Sequence, residues 1–235
     1  MSTNRVGGGG LSNLLNPFGP DWTSRRSGEV VTVGRQVQQV LFGKVKPPIL
    51  DPANFPMLAA QIALLKKFRR KIVSMAGDGE DEYPMVLADG TIAMIDSEGR
   101  IYMGVQFLEA EGDSPATLVG VLAHEIGHRP KRWDAYRIER DLSPEEMQAL
   151  CREEEAKADT FAGMALAEMN FPPDPLIEFL HAIEEKPHPE YFPAKVRGEI
   201  IREAHEARAF RSRFRKKMFP HLDRMTSPKN HLGDF

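Results

Sequence analysis

The chain has 235 residues, 41% hydrophobic and 28% charged, a composition that can bury a core and is neither disordered nor fibrous. Its one cysteine, Cys151, excludes an intramolecular disulfide framework, and no apolar run approaches the roughly 20 residues that span a bilayer. The net charge of −3 conceals a basic–acidic–basic layout, with +8 over residues 1–71, −17 over 72–194 and +6 over 195–235. Without a secretory h-region near the N-terminus, the expectation is a soluble, cytoplasmic protein.

Residues 1–28, rich in Gly, Ser, Asn, Pro and Arg, read as a flexible arm, followed by one domain over residues 29–205. Residues 29–42 begin β-branched and continue with a helical rhythm, and Pro47, Pro48, Pro52 and Pro56 then interrupt any element. Leu58, Ile62, Leu65, Phe68 and Ile72 recur at helical spacing, which predicts an amphipathic helix over residues 57–73 with a basic face. Residues 85–87, 91–95 and 100–105 are β-rich runs separated by Asp89-Gly90 and Ser97-Glu98-Gly99, and they predict a small antiparallel sheet or hairpin. The expected fold is α+β, mostly helical.

Ser114 and Pro115 start a helix whose apolar stripe (Leu118, Val121, Leu122, Ile126) leads into His124-Glu125-Ile126-Gly127-His128 before Pro130. Two histidines at i and i+4 share one helical face and can bind one metal ion. The intervening Glu125 lies beside the open position, where it can take a proton from water. Two polar rings on so apolar a helix would be costly without a ligand. Asp134, not His, stands six residues past His128, so the third ligand is expected to be a carboxylate on a second helix. Ser143-Pro144-Glu145-Glu146 starts that helix with a capping box, and it runs to about residue 169. In it Glu155 and Asp159 lie one turn apart, Glu155 able to reach the metal and Asp159 able to accept the second ring N–H of His124. Glu153 and Glu154 compete with Glu155, and Ala156, Ala158, Ala162 and Ala165 suit close helix packing.

These motifs resemble the gluzincin zinc metallopeptidases, in particular the HtpX-like and CAAX prenyl protease branch. The resemblance covers residues 85–205 and rests on Val119 through His128 and on Glu155-Ala156-Lys157-Ala158-Asp159. It implies a zincin-like domain holding Zn2+ with His124, His128 and Glu155, with Asp159 behind a ligand histidine and Glu125 as base. It also implies an extended peptide lying along residues 91–95. Family members are usually membrane-bound or exported, and this chain shows neither feature. A family His-Pro and a following Arg correspond to His188-Pro189 and Arg197 with wider spacing. His188, Tyr191 and Arg197 are therefore candidates for polarising the scissile carbonyl, and His188 is also a candidate for the open metal position. His181 and His205 are assigned to packing or solvent, and Cys151 to the core.

Residues 198–219 read as a helix, and residues 206–235 as a basic C-terminal helix and tail, with Phe210 and Phe214 among Arg208, Arg211, Arg213, Arg215, Lys216 and Lys217. Packing on the acidic middle of the chain is the simpler expectation, and a nucleic-acid or anionic-membrane surface the other. The functional expectation is a zinc endopeptidase acting on a protein or peptide substrate and held latent by its own termini. The alternative is a catalytically silent zinc protein that binds a regulatory partner or nucleic acid.

Overall fold

The computed structural model describes residues 31–184, 186 and 188–218; the expected arm over residues 1–28 and the tail beyond 218 lie outside them. In chain order the elements are α1 (Val33–Phe42), β1 (Ile49–Leu50), α2 (Ala59–Ala76), β2 (Met85–Ala88), β3 (Ala93–Ile95), β4 (Ile101–Gly104), α3 (Val105–Ala110), α4 (Pro115–Gly127), α5 (Pro144–Glu168), α6 (Asp174–Ile183) and α7 (Ala194–Met218). Short 3-10 turns at Pro52–Asn54, Pro56–Leu58 and Pro130–Ala135 follow three proline-marked breaks. The architecture is a mostly helical α+β fold with one small sheet.

Helix starts follow local chemistry. The Thr32 hydroxyl accepts from Arg35 N at the head of α1, and Ser114 does the same for Thr117 N at α4. Ser143 and Glu146 close a reciprocal capping box at α5. Gly77, at φ 77°, ends α2 in the left-handed region.

The sheet is mixed, not antiparallel, with strand order β1-β2-β4-β3. The run before Asp89-Gly90 does not fold back onto the next run. Instead β3 and β4 form the antiparallel hairpin, and β4 inserts beside β2 in parallel register, Met85 opposite Ile101. Asp96 fixes the hairpin turn by accepting from Glu98 N at 3.0 Å and Arg100 N at 2.9 Å. Gly104 ends β4 where the chain leading into β3 crosses it: a Cβ there would lie 1.6 Å from the Thr91 carbonyl oxygen. The proline-rich stretch also holds an element, because Ile49 and Leu50 pair antiparallel with β2. Their flanking prolines suit the sheet edge that β1 occupies.

Helix α4 is the hub of the core. Leu118, Val119, Leu122, Ala123 and Ile126 are buried, and the helix packs on α2, α5, α6 and β3. Each such large aliphatic side chain contributes about 1.5–3 kcal/mol on burial. Helix α5 lies between α4 and α7, with Ala158, Ala162 and Ala165 wholly buried. Close approach of α4 to α5 depends on Gly127, where a Cβ would stand 3.0 Å from Ala158 Cα and 3.1 Å from Phe161 Cβ.

Helix α7 begins on the body and ends away from it. Ile201 is buried, Arg202 pairs with Asp174 and Arg208 with Glu168, whereas Phe210, Phe214 and Met218 are exposed. No helix among the described residues is long and apolar enough to cross a membrane.

Candidate metal centre

The last turn of α4 presents His124 and His128 toward α5, their ring centroids 4.8 Å apart and nearly perpendicular. Opposite them, Glu155 Oε2 stands 3.1 Å from His124 Nε2 and 3.8 Å from His128 Nε2. One ligand atom from each of the three residues lies within 4.8 Å of the others. Glu155 Oε2 is buried and has no hydrogen-bond partner, an unusual state for a carboxylate oxygen unless a cation completes it. Two imidazole nitrogens and one carboxylate form the donor set of open, tetrahedral zinc sites. The residues present therefore fit a divalent ion.

Behind each histidine stands a carboxylate held by an arginine. His124 Nδ1 is 2.9 Å from Asp159 Oδ1, and Arg197 donates to both Asp159 oxygens at 2.7 and 2.8 Å. His128 Nδ1 is 4.0 Å from Glu154 Oε1, and Arg132 Nη2 donates to both Glu154 oxygens. The Asp159 contact at Nδ1 leaves Nε2 as the His124 nitrogen that would face an ion. Phe42, at the end of α1, closes the far side of His128 edge-on, 5.7 Å between centroids.

Burial governs the electrostatics. It opposes the charged form of Glu155, but His128, His124 and Arg197 outweigh it and hold that carboxyl well below its ordinary range. Burial likewise opposes Asp159, and Arg197 outweighs it. Burial disfavours the His124 imidazolium, yet Asp159 and Glu155 together push its pKa up to about 10. His128, more isolated from carboxylates, is pushed by burial down to about 3. Glu125 is pushed up to about 7, chiefly by burial, and its carboxylate makes no hydrogen bond or ion pair among the described residues.

The centre opens into a cleft of about 280 Å³ bounded by β3, α6 and the chain entering α7. His124, Glu125, His188, Tyr191 and Arg197 all line it, so the sequence-nominated residues come together. Their settings differ. Arg197 Nε and Nη2 are committed to Asp159, and its guanidinium lies 5.3 Å from the Tyr191 ring centre. Tyr191 also meets His188, 5.0 Å between centroids, and the Glu155 charge and burial raise its phenol well above the ordinary value. His188 Nδ1 accepts from Glu190 N at 3.2 Å. Glu153 is exposed, and Glu154 is engaged by Arg132, which leaves Glu155 as the α5 carboxylate of the cluster.

Three participants are invisible to motif reading. Arg132 lies in the 3-10 turn after α4, and four-residue spacing from His128 was its only signal. Lys44 lines the cleft from beyond α1, and Glu190 is only 2% exposed and pushed up to about 7 by burial. His181 is exposed, and His205 Nε2 meets the Phe171 carbonyl at 2.9 Å.

The described residues thus define a mostly helical α+β protein with a buried His-His-Glu group able to hold a metal ion. No protein-family model, curated protein or solved structure matches the chain.

Proposed function

We propose that this chain is a zinc-dependent peptidase with a zincin-like catalytic domain, His124, His128 and Glu155 holding the ion. The observation that carries the reading is the position of Glu125: a buried carboxylate, without a hydrogen bond or ion pair among the described residues, on the cleft that His124 of the His-His-Glu group also lines. A purely structural metal site has no use for such a group. A divalent ion bound there would supply Lewis acidity toward a carbonyl and toward water.

The chain's own residues do the rest. Glu125 accepts a proton from the attacking water as the new C–O bond forms, and the carbonyl electron pair moves onto oxygen. It returns that proton to the amine nitrogen as the C–N bond breaks. Asp159, backed by Arg197, keeps His124 oriented. Tyr191, held protonated and lining the cleft, serves in this reading as a donor to the substrate carbonyl. Leu176, Phe179, Leu180 and Ile183 of α6 give the cleft an apolar wall that suits an apolar side chain. The edge of β3 offers backbone groups to an extended peptide.

The test is hydrolysis of an unfolded protein such as casein by zinc-loaded chain, with Glu125→Gln as comparator. Cleavage by the wild type alone supports the reading. Equal cleavage by both, or by neither, removes it.

A further inference from the structure

Among the described residues, three lysine or arginine side chains line the cleft: Lys44, Lys186 and Arg197. They are not equivalent. Arg197 is neutralised by Asp159 and stands behind His124, where its charge is used to orient a ligand. Lys186 is exposed. Lys44 is half-buried, and among the described residues it makes no hydrogen bond or ion pair.

Its placement follows from α1. Phe42 anchors the end of that helix against His128, and the chain then turns at Gly43, so Lys44 emerges two residues beyond a metal-site contact. From there its charge reaches Glu125, His128 and Glu190. Glu190 is buried, which raises its pKa, and the Lys44 charge opposes that rise. Lys44 and the Glu125 carboxylate line the same cleft, so the ammonium has a counter-charge there and not only bulk water.

We propose, on the peptidase reading of this cleft, that Lys44 is the cation that meets the oxyanion formed at the scissile carbonyl. As water adds, negative charge passes to the carbonyl oxygen. The Lys44 ammonium offsets that charge without giving up a proton; when the C–N bond breaks, the oxygen electron pair re-forms the C=O bond and the C–N pair leaves with the nitrogen that Glu125 protonates. A mobile point charge on a four-carbon stem suits this role. The partly desolvated cleft makes it count for more than in water. The other charged groups nearby cannot do the same: Arg197, on α7, is already committed to Asp159, and Glu125 carries the wrong sign.

The experiment uses the full-length, zinc-loaded chain and an acetylated, amidated phosphinic pseudopeptide with apolar side chains, whose only charge is on the tetrahedral phosphorus group. Binding is measured by calorimetry for wild type, Lys44→Met and Lys44→Arg, with zinc content and thermal midpoint measured in parallel. Loss of a donor to an oxyanion commonly costs about 100-fold or more. The expected result is weakening of that order in Lys44→Met, near-wild-type binding in Lys44→Arg, and unchanged zinc content. Wild-type affinity in Lys44→Met, or no binding of the probe by wild type, overturns the assignment. The peptidase reading fails separately: Lys44-dependent binding of the probe with no cleavage of any peptide removes catalysis and leaves Lys44 as an anion-binding residue.

Discussion

Arg197 grips Asp159 through two nitrogens, Nε to Oδ2 at 2.7 Å and Nη2 to Oδ1 at 2.8 Å, and Asp159 in turn meets His124. The pair is almost wholly buried, with side-chain exposures of 14% and 2%. Arg197 thus holds Asp159 in position behind His124. Removing it leaves Asp159 buried and unpaired. Arg197→Met is expected to cost about 3–5 kcal/mol of stability, the usual loss when one partner of a buried pair goes. Asp159→Asn keeps the shape but weakens the hold on His124, and zinc affinity is expected to fall about 10–100-fold. Urea denaturation reads the first effect and competition with a chelator the second. Unchanged zinc affinity in Asp159→Asn would detach this pair from the metal site.

Glu125→Gln separates binding from chemistry. The amide conserves the volume and cannot accept a proton in the same way, so zinc content is expected to stay at the wild-type level. Turnover is expected to drop by at least about 100-fold. Metal analysis and peptide cleavage on the same preparation decide it, and wild-type turnover in the variant contradicts the role given to Glu125.

The contact between α4 and α5 tolerates no extra atoms at Gly127, where a Cβ would crowd Ala158 Cα and Phe161 Cβ. Gly127→Val must push the ligand helices apart, at a cost of about 1–3 kcal/mol from overpacking. Because His128 and Glu155 sit on either side of that seam, zinc affinity is expected to fall with stability. A variant with lowered melting temperature and unchanged zinc affinity would show that the seam and the centre are independent.

Acid stability has an identifiable contributor outside the centre. Asp96 is fully buried, accepts from Glu98 N, Arg100 N and the Tyr102 hydroxyl, and pairs with Lys46 at 3.0 Å. Burial opposes its ionisation, yet Lys46 and these donors outweigh that and hold its pKa below the ordinary value. A carboxyl with a depressed folded pKa contributes stability that is complete above its unfolded pKa, about 3.9, and is lost as pH falls through the folded value. Asp96→Asn should therefore lower the urea midpoint at pH 7 and flatten its decline below pH about 4. A parallel decline in both proteins would remove Asp96 as the source.

The helices that carry the centre were legible because their signals are local. Ser114-Pro115 and the Ser143–Glu146 box mark the starts, and an i, i+4 histidine pair on an apolar helix announces its partner. The sheet order was not legible. Residues 85–87, 91–95 and 100–105 read as a small antiparallel sheet or hairpin, but β4 inserts in parallel beside β2, a choice made by pairing across the fold rather than by any turn residue. The two-residue β1 is too short to show periodicity and exists only because β2 offers an edge. Glu154 could not be set aside as a ligand from sequence, since its commitment to Arg132 is a tertiary contact. Lys44 carries no motif at all, and only the packing of Phe42 on His128 brings it to the cleft.

The central claim is that His124, His128 and Glu155 hold one zinc ion, and the direct test is bound zinc per chain in purified wild type and in Glu155→Ala. The account predicts close to one zinc in the wild type, and its loss or marked weakening in a Glu155→Ala protein that remains folded. A folded wild type that takes up no zinc when zinc is supplied, or a Glu155→Ala variant that binds it as tightly, would contradict it.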